Sequence, residues 1–519
     1  MARKNIADSI FINCNINDIS NSYEFADAFS VRDGKYDQFG TAAEIKSLSG
    51  PSTITTDLRG KTVISGLTDS HFHHIYFGMT SSWIDFSNST KVDDVYNKVK
   101  KHLQNKPPGV WVYGRGLNFD KLSAQSSILS KSILDSIGPR NPILISRADG
   151  HACFANSDAL EKAGIMKTTA DPPGGSILRD EHGIPTGLLL EAAVYLPWNS
   201  MMSHLNPTDF EAAINKSNSV LLKNGITSSH AVLLENMKNE TYALKQLADQ
   251  KKLKVRIYGI VGEESLDTLP TEIKNYENDW LNIKGAKLFA DGTIMGRTAR
   301  LSKPYSDSLN KSGTMLFSSS ELKKKLLSIR SNNFQPVIHA VGDEAITQVI
   351  IGLTSVYSAS KLKEIRPRIE HASVLSQNLL RTAKELGIIL SLQGHNTSRI
   401  QQRLGYQRFK WSNPWKEIYA SQTLALLGSD APFIQSEPGT WSTIIELAEN
   451  GVPIDHAIKM STYNAAFGSF SEKTQGKISK GNLADFTVLS QNPRLLAIDE
   501  LRDSQPEMTI VGGEIKWNM

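Results

Sequence analysis

Through most of the chain, short apolar runs rich in β-branched residues alternate with longer stretches whose apolar positions recur every three or four residues. The short runs read as strands: NPILISR (141–147), ITSSHAV (226–232), KVRIYGIV (254–261), GAKLFADG (285–292), QPVIHAVG (335–342), RPRIEHA (366–372), IILSLQG (388–394) and LALLGSD (424–430). The longer ones predict amphipathic helices at 208–225, 319–333 and 376–387. Such alternation argues for parallel βαβ units, and there are enough of them to close a (β/α)₈ barrel. The span exceeds the ~250 residues typical of such a barrel, so an insertion is expected. The best candidate is about 95–190, which holds the turn-rich stretch DPPGGSILRDEHGIPTG. The ends differ. Residues 7–64 (SIFIN, EFADAFSV, TITTDL, KTVIS) and the last fifty (ADFTVLSQNP, MTIVGGEIKW) read as short strands and turns without helices.

Polar residues interrupt the predicted strands at their C-terminal ends. His71 and His73 end the first, in GLTDSHFHH. Lys287 and Asp291 lie in GAKLFADG, His339 and Asp343 in VIHAVGD, Glu370 and His371 in RIEHA, and Asp430 ends LALLGSD. In a parallel barrel all strand C-termini open on one mouth, so these side chains converge there. His71 and His73, two apart, point to one side of a strand, while His74 points away. Imidazole nitrogens and a carboxylate, without thiolates, suit Zn²⁺, Mn²⁺, Fe²⁺ or Co²⁺. A divalent ion lowers the pKa of its water to ~7 and polarises a carbonyl. Asp430 can then accept the water's proton and deliver it to a leaving group. Lys287 is the odd member: an ammonium repels a metal, so it is either a salt-bridged lysine near the mouth or a carbamate formed with CO₂.

Composition narrows the classes. The chain has 519 residues, 40% hydrophobic and 21% charged, with 57 basic against 53 acidic side chains and a net charge of +4. The signs are mixed, which leaves no nucleic-acid or membrane patch; KVKKH and LKKKLL read as solvated helix faces. Two cysteines, Cys14 and Cys153, imply no disulfide framework and a reducing compartment. Neither a signal-peptide apolar core nor a run approaching the ~18–20 residues of a membrane span is present, so a soluble, cytoplasmic protein is expected.

Taken together, the motifs GLTDSHFH (66–73), DGHACFANSDAL (149–160), GGSILRDEHGIPTGLLLEAA (174–193), KLFADGTIMGRTARLSKPY (287–305), HAVGDEA (339–345), RIEHA (368–372), GSDAP (428–432) and KGNLADFTVL (480–489) resemble the amidohydrolase superfamily, in the branch containing the N-substituted formamide deformylases. They follow the family's order across nearly the whole chain. The resemblance implies a barrel over 65–471 beside a small β-sandwich built from 1–64 and 472–519. It also implies a metal site from His71, His73, Lys287, His339, His371 and Asp430, with one ion, or two bridged by a carbamylated lysine. The implied reaction is hydrolysis of an amide, N-acyl or N-formyl C–N bond by metal-activated hydroxide. The chain departs from the family at Ser65, where proline is usual, at Leu117, where an indole is usual, and at Gly394, where proline is common. The lost indole at Leu117 changes what can be carried over about the substrate, and Gly394 makes His395 an extra pocket candidate.

Four more residues are candidates for substrate contact. The resemblance places His151 over the active-site mouth, and a structural hydrogen bond is its other reading. Glu191 contacts substrate or sits as a charge at a helix N-terminus. Arg297 clamps a substrate carboxylate or pairs with an acid such as Asp291. His395 is a pocket residue or an exposed loop histidine. Glu370, next to a ligand histidine, is expected to point to the opposite side and to support rather than ligate. A cyclic amide, lactone or ester on the same site is the alternative chemistry, and a non-catalytic ligand-binding barrel the alternative class. The expected partner is a small molecule, with a homodimer as the default assembly.

Overall fold

The computed structural model describes residues 6–519 apart from 19–22, 24, 105, 119–129, 148–149, 235–236, 394–397 and 434–437. The chain packs as two compact units, one from residues 1–77 with 213–519, the other from 78–212.

The first unit is organised around eight parallel strands: β1 (Leu67–Phe72), β2 (Ile226–Leu233), β3 (Arg256–Gly262), β4 (Leu281–Phe289), β5 (Gln335–Ala340), β6 (Arg368–His371), β7 (Ile389–Gln393) and β8 (Ala425–Gly428). They follow one another around the sheet in chain order. The ring nearly closes between β8 and β1. There the Asp430 N–H donates to the His71 carbonyl at 2.7 Å, and Asp69 accepts from the Ser429 N–H (2.9 Å) and hydroxyl (2.6 Å). Strands buried on both faces carry near-continuous apolar runs, and every residue of β2 and β3 is buried. Helices fill the crossovers with local signals that match the sequence. Ser318 and Glu321 form a capping box before Ser319–Ser331, and Gly387, at φ 70°, ends Gln377–Leu386.

Two small antiparallel-rich sheets complete this unit. One has the order 35–40, 28–32, 9–12, 54–57; the other has 15–16, 62–65, 486–489, 506–511, 514–518. The last hairpin turns at Gly512–Gly513, both at positive φ (61° and 76°), a turn that matches strand twist and that glycine enters without a Cβ clash. Phe11 and Phe29 from one sheet and Phe486 from the other share one cluster, with ring centroids 4.9–5.2 Å apart.

The second unit carries a six-stranded sheet with the order 175–179, 185–191, 152–155, 143–147, 112–117, 84–85. NPILISR belongs to this sheet and not to the barrel series, because an apolar run shows that a strand is buried but not which sheet buries it. Among the described residues, no helix is long and apolar enough to cross a membrane.

Candidate metal centre

Four imidazoles gather at the C-terminal ends of the barrel strands. The His71 and His73 rings lie 5.8 Å apart, His71 and His371 5.2 Å, and His339 and His371 4.5 Å. Asp430 reaches into this group: its Oδ1 is 3.2 Å from His73 Nε2 and 3.5 Å from His71 Nε2. One donor atom each from His71, His371 and Asp430 lies within 4.8 Å of the others. β1 ends at Phe72, so His73 reaches Asp430 from just beyond the strand, while the His73 N–H donates to the Ala431 carbonyl (3.3 Å). His74 turns away into a buried contact, its Nε2 3.1 Å from Asn218 Oδ1.

The backbone is strained where it presents these groups. His371 has φ 71°, and Asp430 has φ 51°. Left-handed backbone costs a non-glycine residue on the order of 1–3 kcal/mol, a cost that concentrates at functional sites. The turn at His371 also corrects a sequence expectation. Strict alternation sends Glu370 away from its neighbour, but the positive φ breaks it, and both side chains meet the His71 ring. Glu370 Oε2 takes a short hydrogen bond from His71 Nδ1.

Burial sets the protonation states. It lowers the pKa values of His71 and His371 and pushes that of His339 down to about 4, so these three imidazoles are neutral. Asp430 is held well below the ordinary carboxylate range; burial opposes its ionisation, and the surrounding imidazoles, His71 foremost, outweigh it. Burial pushes Lys287 down to about 8. Its Nζ lies 3.4 Å from His71 Nε2, and among the described residues no carboxylate stands within ion-pair distance.

These facts test whether the residues fit a metal. His71 Nδ1 faces a carboxylate, which can only accept, so Nδ1 carries the proton and Nε2 presents a lone pair. That lone pair faces ionised Asp430, and two acceptors at 3.5 Å are reconciled by a cation between them. His339 Nε2 donates to the Gly292 carbonyl (3.0 Å), which leaves Nδ1 as its free lone pair. The donor set is nitrogen and carboxylate oxygen, as a first-row divalent ion requires.

The site is supported by further residues, of which Asp69 and Arg368 escaped the sequence reading. Asp69, fully buried, accepts from the His71 N–H (3.2 Å) as well as from Ser429 and so locks β1 to β8. Arg368, also fully buried, holds Glu370 and His230. Asp291 accepts the backbone N–H groups of Arg300 (2.8 Å), Val341 (2.9 Å) and Gly342 (2.9 Å), and so ties the loops after β4 and β5 together. The period-two spacings Asp69–His71 and Arg368–Glu370 were the available signals.

Of the remaining candidates, Arg297 forms a two-point ion pair, but with Asp307 (2.7 and 3.0 Å) rather than Asp291, which is occupied by backbone donors. His151 Nδ1 and Glu191 Oε2 are 2.8 Å apart in the second unit, both side chains 59% exposed. Glu191 is held at φ 50°, ψ −125°. His395 lies outside the described residues. Both cysteines are buried and free, and burial pushes each thiol up to about 12.

Comparison with known proteins agrees with this picture. A family model described as the amidohydrolase family matches residues 55–516. The protein YtcJ of Bacillus subtilis is 29% identical over 95% of this chain and 96% of its own. N-substituted formamide deformylase of Arthrobacter pascens is 26% identical over 98% of each. Among solved structures, an uncharacterized metal-dependent hydrolase from Pyrococcus horikoshii matches with a TM-score of 0.79 at 26% identity, over 95% of this chain and 99% of that one. With a match of that extent on a barrel whose strand ends gather four histidines and an aspartate, the chain belongs to the amidohydrolase family.

Proposed function

We propose that the protein is a metal-dependent hydrolase of a C–N bond in an amide, N-acyl or N-formyl small molecule. The observation that carries this is the convergence of His71, His371 and Asp430 donor atoms at the barrel strand ends. A divalent ion, Zn²⁺ first among Zn²⁺, Mn²⁺, Fe²⁺ and Co²⁺, held by His71, His73, His339, His371 and Asp430, would acidify a water and polarise the substrate carbonyl. The chain's own part is proton handling. Asp430, ionised and buried beside His71 and His73, takes the proton of the attacking water and returns it to the leaving nitrogen.

Lys287 belongs to the same reading as a carbamate. A lysine pushed down to about 8 has a sizeable neutral fraction near neutral pH, and the neutral amine is the form that adds CO₂ with loss of a proton. The product is an anion that can bridge two ions. The shared cluster of Phe11, Phe29 and Phe486 supports treating the terminal sheets as one β-sandwich. The two free cysteines suit a cytoplasmic enzyme, and a homodimer remains the assembly we assign.

The test is a panel of N-formyl amines, N-acyl amino acids, cyclic amides, lactones and aryl esters, incubated with protein loaded with each metal. Turnover confined to the open-chain amides supports the proposal. Turnover of lactones or esters alone replaces the bond and keeps the site.

A further inference from the structure

The site described above rests on a buried charged chain that the proposed chemistry does not use directly. Arg368 lies at the barrel's interior and is fully buried. Its Nε donates to Glu370 Oε1 (2.9 Å) and its Nη2 to Glu370 Oε2 (3.1 Å). Nη2 also donates to the Ser70 carbonyl (2.7 Å) and Ser391 Oγ (3.2 Å), and Nη1 to His230 Nδ1 (2.9 Å). Glu370 Oε2 in turn accepts from His71 Nδ1.

Guanidinium has donors only, and cannot lose its proton. Both Glu370 oxygens are therefore engaged by donors, and the carboxylate stays an acceptor. That leaves a neutral His71 one option: a proton on Nδ1, with the Nε2 lone pair aimed at Asp430 and Lys287. Direction runs one way along the chain, from Arg368 through Glu370 to His71, because its first member has no other hydrogen-bonding form. Stability does not explain the pair. Replacing a buried ion pair with well-packed apolar side chains is often neutral or stabilising. The same chain has a second buried two-point pair, Arg256–Asp485, which sits against Trp280 and the Gly512 N–H.

We propose that Arg368 and Glu370 are positioning residues, which fix the tautomer and ring orientation of His71 so that its Nε2 faces the donor cluster. For its affinity readout this rests on the metal-centre reading; for its tautomer readout it does not.

The experiment compares wild type, R368M/E370M and R256M/D485M as full-length chains. Metal-free protein is titrated with Zn²⁺ and Co²⁺ against a chromophoric chelator, and ¹⁵N-histidine spectra of the metal-free protein report which nitrogen of His71 carries hydrogen. R368M/E370M is expected to fold, to bind metal ~10–100-fold more weakly, and to lose the Nδ1–H signature of His71. R256M/D485M is expected to bind as wild type does. Wild-type affinity together with an unchanged His71 signature in R368M/E370M overturns the proposal. If the wild type binds neither metal, the hydrolase reading fails and the His71 spectrum alone decides the positioning role. Should R368M/E370M fail to fold, E370Q and R368K carry the same two readouts.

Discussion

Asp430→Asn separates the proton carrier from the scaffold. Asp430 is 7% exposed, and its backbone sits at φ 51°. Asparagine tolerates left-handed backbone about as well as aspartate, so the turn and the Asp430 N–H bond to the His71 carbonyl survive. Alanine at that φ adds strain and would blur the result. The substitution removes the carboxylate that His71 and His73 hold ionised. Positioned acid–base groups contribute ~10²–10⁴-fold in rate, about 2.7–5.5 kcal/mol of barrier. The assay is initial-rate hydrolysis of the best amide from the panel, with metal content measured on the same sample and melting followed by circular dichroism. The expected result is at least ~100-fold less turnover at an unchanged melting temperature. A variant that is fully metal-loaded, folded and within about threefold of wild type would refute the role given to Asp430.

Three further outcomes follow from the geometry. Arg256→Met leaves Asp485 buried without its two-point partner, and thermal or urea unfolding should show a loss of about 3–5 kcal/mol; a change under 1 kcal/mol would contradict the buried pairing. Gly428→Ala places a Cβ 2.4 Å from the His71 nitrogen and 2.7 Å from its Cβ, so overpacking of about 1–3 kcal/mol should displace His71 and lower metal content, read by melting and elemental analysis. Cys14 and Cys153, both pushed up to about 12 against an ordinary 9.0, should resist a thiol reagent at neutral pH in the folded protein and both react once it is unfolded. Because the unfolded chain ionises first, the buried thiols should also make stability fall as pH rises above about 9, and C14S/C153S should lessen that fall; an identical profile in the double variant would argue against their burial.

The barrel was legible because seven of its strands, β2 to β8, announce themselves as apolar runs, four of them (β4, β5, β6 and β8) ended by polar residues, and β1 by its histidines. NPILISR shows where that legibility stops: burial leaves the same apolar signature in either sheet, and only long-range pairing assigns it. At the site, His71, His73, His339, His371 and Asp430 were readable from residue type at strand ends. Arg368 was not, because a fully buried arginine runs against every compositional expectation. Its only trace was its period-two relation to Glu370. That His371 meets His71 on the same side as Glu370 depended on the φ of His371, which no pattern of residue types specifies. Asp307 as the partner of Arg297 is likewise a matter of loop path.

The most direct test of the account is elemental analysis of the native protein purified without chelator. Close to two divalent ions per chain is the result expected with Lys287 as a carbamate, and close to one retains the centre with Lys287 as an amine. No bound ion, persisting after incubation with Zn²⁺, Mn²⁺, Fe²⁺ or Co²⁺, would contradict the claim that the cluster of His71, His371 and Asp430 is a metal centre.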